Sequence, residues 1–127
     1  VEINDFSNRV LERRWPHTPR GVDVREWTGD GHEHIDLLCG GFPCQDLSVA
    51  GKRGGLAGAR SGLFSEILRI AKICKPTWGL FENVPGLFSS HAGRDMATVL
   101  EGLRECWNVV GWRVLDLRYF HLAQRRE

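Results

Sequence analysis

Several features that would narrow the class of this 127-residue protein are missing from its sequence. No apolar run approaches the length that spans a bilayer, and the N-terminus has neither the basic nor the apolar part of a secretory signal. The cysteines include no C-x-x-C pair, so neither a zinc site nor a secreted disulfide framework is indicated. We therefore expect a cytoplasmic protein that contacts no membrane and holds no metal.

A strong charge of one sign is also lacking. The sequence has 17 basic and 16 acidic residues, a formal net charge of +1. Free-standing nucleic-acid-binding domains are usually far more basic, so any DNA-binding surface must be a local group of basic residues or must come from another part of the protein. Because the first residue is not methionine, we expect the chain to begin inside a longer protein.

What the sequence does contain is an alternation of helix-like and strand-like segments. Apolar residues at helical spacing predict helices over residues 5–15, from Ser61 as N-cap to Ile73, and from Asp95 as N-cap to a stop at Gly111. Short apolar or alternating segments predict strands over residues 1–4, 22–27, 35–39, 78–81 and 112–117. Such alternation is typical of an α/β fold with a parallel sheet.

Two unusual segments follow predicted strands. The motif GFPCQ at residues 41–45 follows one strand, and ENV at residues 82–84 follows the other. The first lies in a stretch over residues 40–62 that contains seven glycines, and a long segment with little predicted structure is usually functional. Since ligands of parallel sheets bind beyond the carboxyl ends of the strands, we expect the site there.

Cys44 and Glu82 are the candidate reactive groups, and their chemistry alone leaves alternatives open. Cys44 is either a packed cysteine or a nucleophile whose thiolate is favoured by positive charge from Lys52, Arg53 and Arg60. Glu82 is either a turn carboxylate that accepts from local main-chain amides or a group directed into a cleft. A thiolate and a carboxylate at neighbouring strand ends suit nucleophilic addition to a ring with proton delivery.

The other cysteines and the histidines are given ordinary interpretations. We expect Cys39, Cys74 and Cys106 to be small buried apolar residues. His32 and His34 flank Glu33, but without a further ligand this segment indicates a solvated loop rather than a metal site.

Four motifs in one order resemble the catalytic motifs of DNA cytosine-5 methyltransferases. They are GFPCQDLS at residues 41–48, GLF at 62–64, ENV at 82–84 and QRRE at 124–127. The resemblance covers nearly the whole chain and implies a Rossmann-like, S-adenosylmethionine-dependent methyltransferase fold, mostly parallel sheet flanked by helices. The family's Phe-x-Gly-x-Gly loop, its target-recognition domain and its last motifs are absent, so residues 1–127 are expected to form a partial catalytic domain, truncated at both ends.

The resemblance implies a covalent mechanism. Cys44 would add to carbon 6 of a cytosine flipped out of double-stranded DNA, so that carbon 5 can accept the methyl group. Glu82 would hydrogen-bond the ring nitrogen and the exocyclic amino group, and Arg126 would contact the base carbonyl. Residues of a mobile loop would lie near phosphates, namely Gln45, Ser48, Lys52, Arg53 and Arg60.

The resemblance also assigns the cofactor-binding residues. Glu2 would bind the ribose hydroxyls, Ile3 would pack on adenine and Asp30 would contact its amino group. Pro43 and Leu63 would line the methionine side. Acidic residues at strand ends often bind such groups in parallel sheets, although this signal alone is weak.

Several alternatives stay open. They are an inactive fragment that cannot hold cofactor, a non-catalytic nucleic-acid-binding module of the same fold, and an RNA cytosine methyltransferase. Gly41 and Phe42 before Pro43 resemble the DNA enzymes more closely, and the set of Cys44, Glu82 and Arg126 argues against a purely structural role. We expect a monomer in bacteria or phage, associated with the nucleoid. The sequence does not distinguish restriction–modification, phage and stand-alone enzymes, or give the DNA target.

Overall fold

The computed structural model describes residues 1–21, 23–29, 31, 34–43 and 62–120. The chain divides into two units, Val1–Gly31 and His32–Glu127, which are taken separately below.

The first unit is built around helix α1, Asp5–Arg14. Asn4 is its N-cap, because its side-chain oxygen accepts a hydrogen bond from the Ser7 amide at 3.0 Å. Arg13 and Arg14 lie in the last turn, where positive charge complements the helix dipole. The helix predicted over residues 5–15 is therefore confirmed.

The strand predicted over residues 22–27 is wrong within the described residues 23–27. Val24–Glu26 form a 3-10 turn, and the Asp23 carboxylate accepts from the Arg25 amide at 2.9 Å. A short aspartate side chain that bonds the main chain two residues on competes with extended structure. The side-chain hydrogen bond from Arg25 lowers the pKa of Asp23 to about 2. The segment predicted as a strand at residues 1–4 forms no ladder, although the Glu2 amide donates to the Gly21 carbonyl at 3.1 Å.

The second unit contains a parallel strand–helix–strand arrangement. Strand β1, Leu37–Gly41, pairs in parallel with strand β2, Trp78–Glu82, and helix α2, Leu63–Cys74, lies between them in the chain. Lys75 ends α2 in a left-handed conformation, with φ of 47°, and Pro76 follows. The two strands and the helix predicted here are confirmed, as is an α/β arrangement with a parallel sheet.

Two α-helices follow β2: α3, Gly86–Ser89, and α4, Arg94–Arg104. Buried Phe42, Phe64, Leu87 and Val99 form the core, so the segment after β1 packs with α2, α3 and α4. On α4, Gly102 permits close approach, because a Cβ there would lie 2.8 Å from a methyl carbon of Leu68 and 3.0 Å from the Phe64 ring. The predicted helical faces are confirmed at Ile70, Ala71 and Val99, all buried, whereas Leu63 is exposed.

The predicted helix starts need correction. Gly62 is the N-cap of α2, and Ser61 lies outside the described residues. Gly93, with φ of 85°, is the N-cap of α4, so Asp95 lies inside the first turn rather than at the cap. Asp95 instead reaches back, and its carboxylate accepts from Ser90 Oγ at 2.5 Å and contacts His91 Nδ1 at 2.9 Å. Helix α4 also ends at Arg104, well before Gly111.

The strand predicted over residues 112–117 is wrong. Residues 111–116 pair with no strand among the described residues, and Leu117–Phe120 form a 3-10 turn. A strand needs a neighbouring strand for its main-chain hydrogen bonds, and the described sheet contains only β1 and β2. Trp78 and Leu80 on β2 are accordingly 70% and 66% exposed.

The prediction that Cys39 is buried is wrong, because β1 belongs to the same exposed sheet. Cys39 on β1 is exposed, whereas Cys74 is fully buried as predicted. Cys106 is partly buried, and this burial raises the pKa of its thiol. No helix of the described residues is both long and apolar enough to cross a bilayer.

Candidate active site at the carboxyl ends of two parallel strands

The two motifs after the predicted strands begin side by side. In the parallel register of β1 and β2, Gly41 is the partner of Glu82. Both residues are the last of their strands, so the main chain leads from the same sheet edge into Phe42–Pro43 on one side and Asn83–Val84 on the other. The predicted meeting of the two motifs at one sheet edge is confirmed for these residues.

Glu82 presents its carboxylate over the main chain of Gly41. A Cβ on residue 41 would lie 3.2 Å from Glu82 Oε2 and 3.6 Å from the Glu82 carbonyl oxygen. Glu82 is exposed, and its side chain forms no hydrogen bond with any described residue. The carboxylate is thus not bonded to local main-chain amides, as the turn interpretation required, and can accept hydrogen bonds from a ligand.

Asn83 performs the main-chain bonding instead. Its Oδ1 accepts from the Val84 amide at 2.9 Å, and its Nδ2 donates to the Phe42 carbonyl at 2.8 Å. The second bond joins residues 41 positions apart in the chain. The amide of Asn83 therefore links the end of β2 to the segment that leads into Pro43 and Cys44.

Phe42 is held from its ring as well as from its carbonyl. It is 7% exposed, and its ring lies 5.0 Å from that of Phe64 on α2, centroid to centroid. Such tilted aromatic contacts contribute beyond simple area burial. The next residue, Pro43, is exposed, so a buried anchor stands directly before the exposed part of the motif.

Sequence reasoning missed the parts played by Gly41 and Asn83. Asn83 stands inside the ENV motif, and a polar amide directly after a strand-end acid was the available signal. Gly41 gave no such signal, because its contact with Glu82 follows from the strand register.

The remaining predicted chemical residues lie outside the described part of the chain. These are Cys44, Arg126, Asp30, and the loop residues Gln45, Ser48, Lys52, Arg53 and Arg60.

The other predicted cofactor residues are described, but in separate units. In the first unit, Glu2 Oε1 accepts from the Asn4 amide at 2.7 Å, and Ile3 is 64% exposed. In the second unit, Pro43 follows the Gly41 edge, and Leu63 opens α2 with 39% exposure. In the first unit, a carboxylate beside an exposed apolar side chain has the chemistry to accept hydrogen bonds from ribose hydroxyls and to pack on an adenine ring.

A Ser–His–Asp cluster at the start of α4 has the wrong geometry for nucleophilic catalysis. The same carboxylate oxygen of Asp95 contacts both Ser90 and His91, and the same ring nitrogen, Nδ1, faces both partners. In a catalytic triad the imidazole stands between acid and nucleophile and uses both nitrogens. The Ser90 and His91 contacts lower the pKa of Asp95, Ser90 having the larger effect, and the cluster stabilises the start of the helix.

Nowhere in the described ranges do three His, Cys, Asp or Glu side chains gather as a metal site requires.

A parallel strand–helix–strand unit with a carboxylate and an amide at its carboxyl edge is typical of ligand-binding α/β proteins. A family model described as C-5 cytosine-specific DNA methylase matches residues 1–127, and the chain belongs to this family. The resemblance seen in the motifs is confirmed.

Curated relatives are Type II methyltransferases. Identity is 39% over 129 aligned positions with M.HpaII of Haemophilus parainfluenzae, covering 99% of this chain and 36% of the relative. With M.NgoBV of Neisseria gonorrhoeae it is 36% over 134 positions, covering 99% of this chain and 31% of the relative. The chain spans about a third of the length of these relatives.

Proposed function

We propose that the gene product carrying residues 1–127 transfers a methyl group from S-adenosylmethionine to carbon 5 of cytosine in double-stranded DNA. Family membership supports the reaction class. The observation that carries the proposal is the pairing of Gly41 with Glu82, since it brings the ENV carboxylate to the start of the segment leading to Cys44. The DNA-specific family favours DNA over the RNA alternative.

The proposed chemistry begins with covalent addition. The thiolate of Cys44 forms a bond to carbon 6 of a flipped cytosine, and the ring electron pair moves so that carbon 5 becomes nucleophilic. When bound, S-adenosylmethionine would supply the methyl group from a sulfonium, whose sulfur would leave with the bonding electron pair. Loss of the carbon 5 proton to solvent base then restores the ring and expels the Cys44 thiolate.

Glu82 is proposed to bind the ring nitrogen and exocyclic amino group of that cytosine, with Arg126 on the base carbonyl. A preorganised group that meets charge as it develops is worth more in the transition state than in the ground state. The exposed carboxylate, without a hydrogen bond to the described residues, supports this role.

The cofactor and DNA contacts are proposed from the family motifs. Glu2, Ile3, Asp30, Pro43 and Leu63 would hold the cofactor. The residues proposed to contact DNA are Gln45, Ser48, Lys52, Arg53 and Arg60.

The proposed architecture is a Rossmann-like methyltransferase domain, of which these residues are a part. The parallel β1–α2–β2 arrangement is compatible with it. The Type II relatives favour a bacterial restriction–modification setting. That the enzyme acts as a monomer on nucleoid DNA is a separate part of the proposal.

A covalent trapping experiment tests the proposal. The complete gene product is incubated with S-adenosylmethionine and DNA containing 5-fluorocytosine, which blocks loss of the carbon 5 substituent. We expect a stable adduct with wild type and with Cys39→Ser, whose exposed side chain makes it a suitable control. Cys44→Ser should form none; an adduct that persists in Cys44→Ser would show that Cys44 is not the nucleophile.

A further inference from the structure

Gly41 stands where any side chain would contact the Glu82 carboxylate. The Cβ of an alanine there would lie 3.2 Å from Glu82 Oε2, inside the 3.4–4 Å of ordinary van der Waals contact. The carboxylate would have to move by a few tenths of an ångström.

Neither backbone conformation nor core packing explains a glycine at this position. Among the described glycines, only Gly29, Gly31 and Gly93 have a positive φ, so residue 41 has a conformation open to any amino acid. Gly41 is also exposed rather than packed into the core. A strand-end glycine weakens the strand relative to residues with side chains, so a contact that excludes a side chain is the reason that the described residues leave for a glycine here.

Among the described residues, Glu82 is the neighbour that occupies the space next to Gly41, where a side chain would otherwise lie. The contact is fixed by register, since Gly41 and Glu82 are partners in the parallel ladder. Gly40, one residue earlier on the same strand, has no atom within 4 Å of its would-be Cβ. The crowding is thus specific to position 41 and to the carboxylate.

We propose that Gly41 is a positioning residue for the methyl transfer proposed above: its lack of a side chain sets where the Glu82 carboxylate stands relative to the bound cytosine. This inference rests on the proposed function. Electrostatic stabilisation depends on donor–acceptor distances near 2.7–3.1 Å, so a shift of a few tenths of an ångström is felt in the rate.

The test compares Gly41→Ala with Gly40→Ala in the complete gene product. Both changes add one methyl group to an exposed glycine of β1, and only the first meets Glu82. In single-turnover methylation we expect Gly41→Ala to be slower by about tenfold, with DNA affinity and melting temperature unchanged. Gly40→Ala should stay within about threefold of wild type.

A double-mutant cycle assigns the effect to the carboxylate. In a Glu82→Ala background the contact is gone, so adding Gly41→Ala should slow adduct formation no further. The proposal is overturned if Gly41→Ala is as fast as Gly40→Ala, or if it still slows the Glu82→Ala enzyme. Failure of the proposed function gives a different result, namely a wild-type enzyme that neither methylates cytosine nor forms the adduct.

Discussion

For Glu82, the contribution to folding stability and the proposed contribution to catalysis can be measured separately. Its exposed side chain forms no hydrogen bond with the described residues, so its contribution to folding is small. Any large effect of changing it must therefore come from the ligand-bound state.

We predict that Glu82→Gln slows single-turnover methylation by about 100- to 1000-fold, roughly 3–4 kcal/mol, while leaving the melting temperature unchanged. The amide keeps the shape of the side chain but not its charge. Glu101→Gln, at an exposed position of α4, is the control and should keep the wild-type rate. A rate for Glu82→Gln within about threefold of wild type, under roughly 1 kcal/mol, would leave Glu82 without a catalytic role.

Changing Asn83 is expected to affect folding stability as well as activity, unlike changing Glu82, because both side-chain hydrogen bonds of Asn83 are to the main chain. Asn83→Asp keeps the oxygen that accepts from Val84 but replaces the donor that Phe42 requires, so two oxygens would face each other at 2.8 Å. We predict a loss of about 1–2 kcal/mol in the free energy of unfolding, measured by denaturant titration, together with slower methylation. The exposed Asn108→Asp is the control. Equal stability of the two variants would contradict the proposed link between the strand ends.

At the scale of elements, Trp107 covers β2. Its Nε1 donates to the Pro76 carbonyl at 3.1 Å, and its ring packs edge-on against Phe81 at 5.7 Å between centroids. A Cβ on Gly79 would lie 2.8 Å from the Trp107 ring and 2.7 Å from that of Phe81. The strand has room here only for glycine.

Gly79→Ala should therefore destabilise the protein by about 1–3 kcal/mol, the usual cost of overpacking. Thermal unfolding followed by circular dichroism measures the change. Gly40→Ala in the neighbouring strand should be neutral or slightly stabilising, since its Cβ meets nothing. Equal melting temperatures for Gly79→Ala and Gly40→Ala would contradict the packing of Trp107 on β2.

The start of α4 should contribute an acid-sensitive part of the stability. Ser90 and His91 lower the pKa of Asp95 below 3.8, so the folded state favours the carboxylate more than the unfolded state does. That stability is fully present above pH 3.8 and is lost as the pH falls through the lower folded value. The stability difference between wild type and Asp95→Asn should accordingly shrink in acid, as urea titrations at several pH values would show. Ser90→Ala should weaken this dependence; a difference that grows in acid would contradict the assignment.

Helices and strands with a clear apolar period were predictable, but their ends were not. The periodicity identified α1, α2 and both strands; α2 buries one face and the strands pair in the ladder, whereas α1 has no buried residue. Asp95 fits the rule for an N-cap, yet Gly93 caps the helix, because three left-handed residues, His91, Ala92 and Gly93, turn the chain first. Ser90, directly before this turn, contacts both His91 and Asp95, and local rules do not include such contacts.

The strand predicted at residues 112–117 failed for a different reason. Its apolar pattern is genuine, and Trp112, Val114 and Leu115 are more than half exposed. An apolar pattern indicates only which face of a segment favours burial. A strand also needs a neighbouring strand to form hydrogen bonds with its main chain. The candidate site shows the same division: the position of Glu82 at a strand end was predictable, but the contacts of Gly41 and Asn83 depend on register between distant segments.

At the scale of the whole molecule, the family and the described strand ends both support the proposed reaction. The chain belongs to the C-5 cytosine-specific DNA methylases, and the GFPC and ENV motifs of that reaction begin at paired residues of a parallel sheet. The proposed substrate, cofactor and nucleophile belong to one reaction, so identifying the methylated atom tests them together.

The direct measurement is the chemical identity of the methylated base. The complete gene product is incubated with double-stranded DNA and S-adenosylmethionine carrying an isotopic methyl label, and the DNA is digested to nucleosides for mass spectrometry. We predict label in 5-methyl-2′-deoxycytidine alone, and none when Cys44→Ser replaces the wild-type enzyme. Label on the exocyclic nitrogen of cytosine or adenine, or undiminished 5-methylcytosine from Cys44→Ser, would contradict the proposed function.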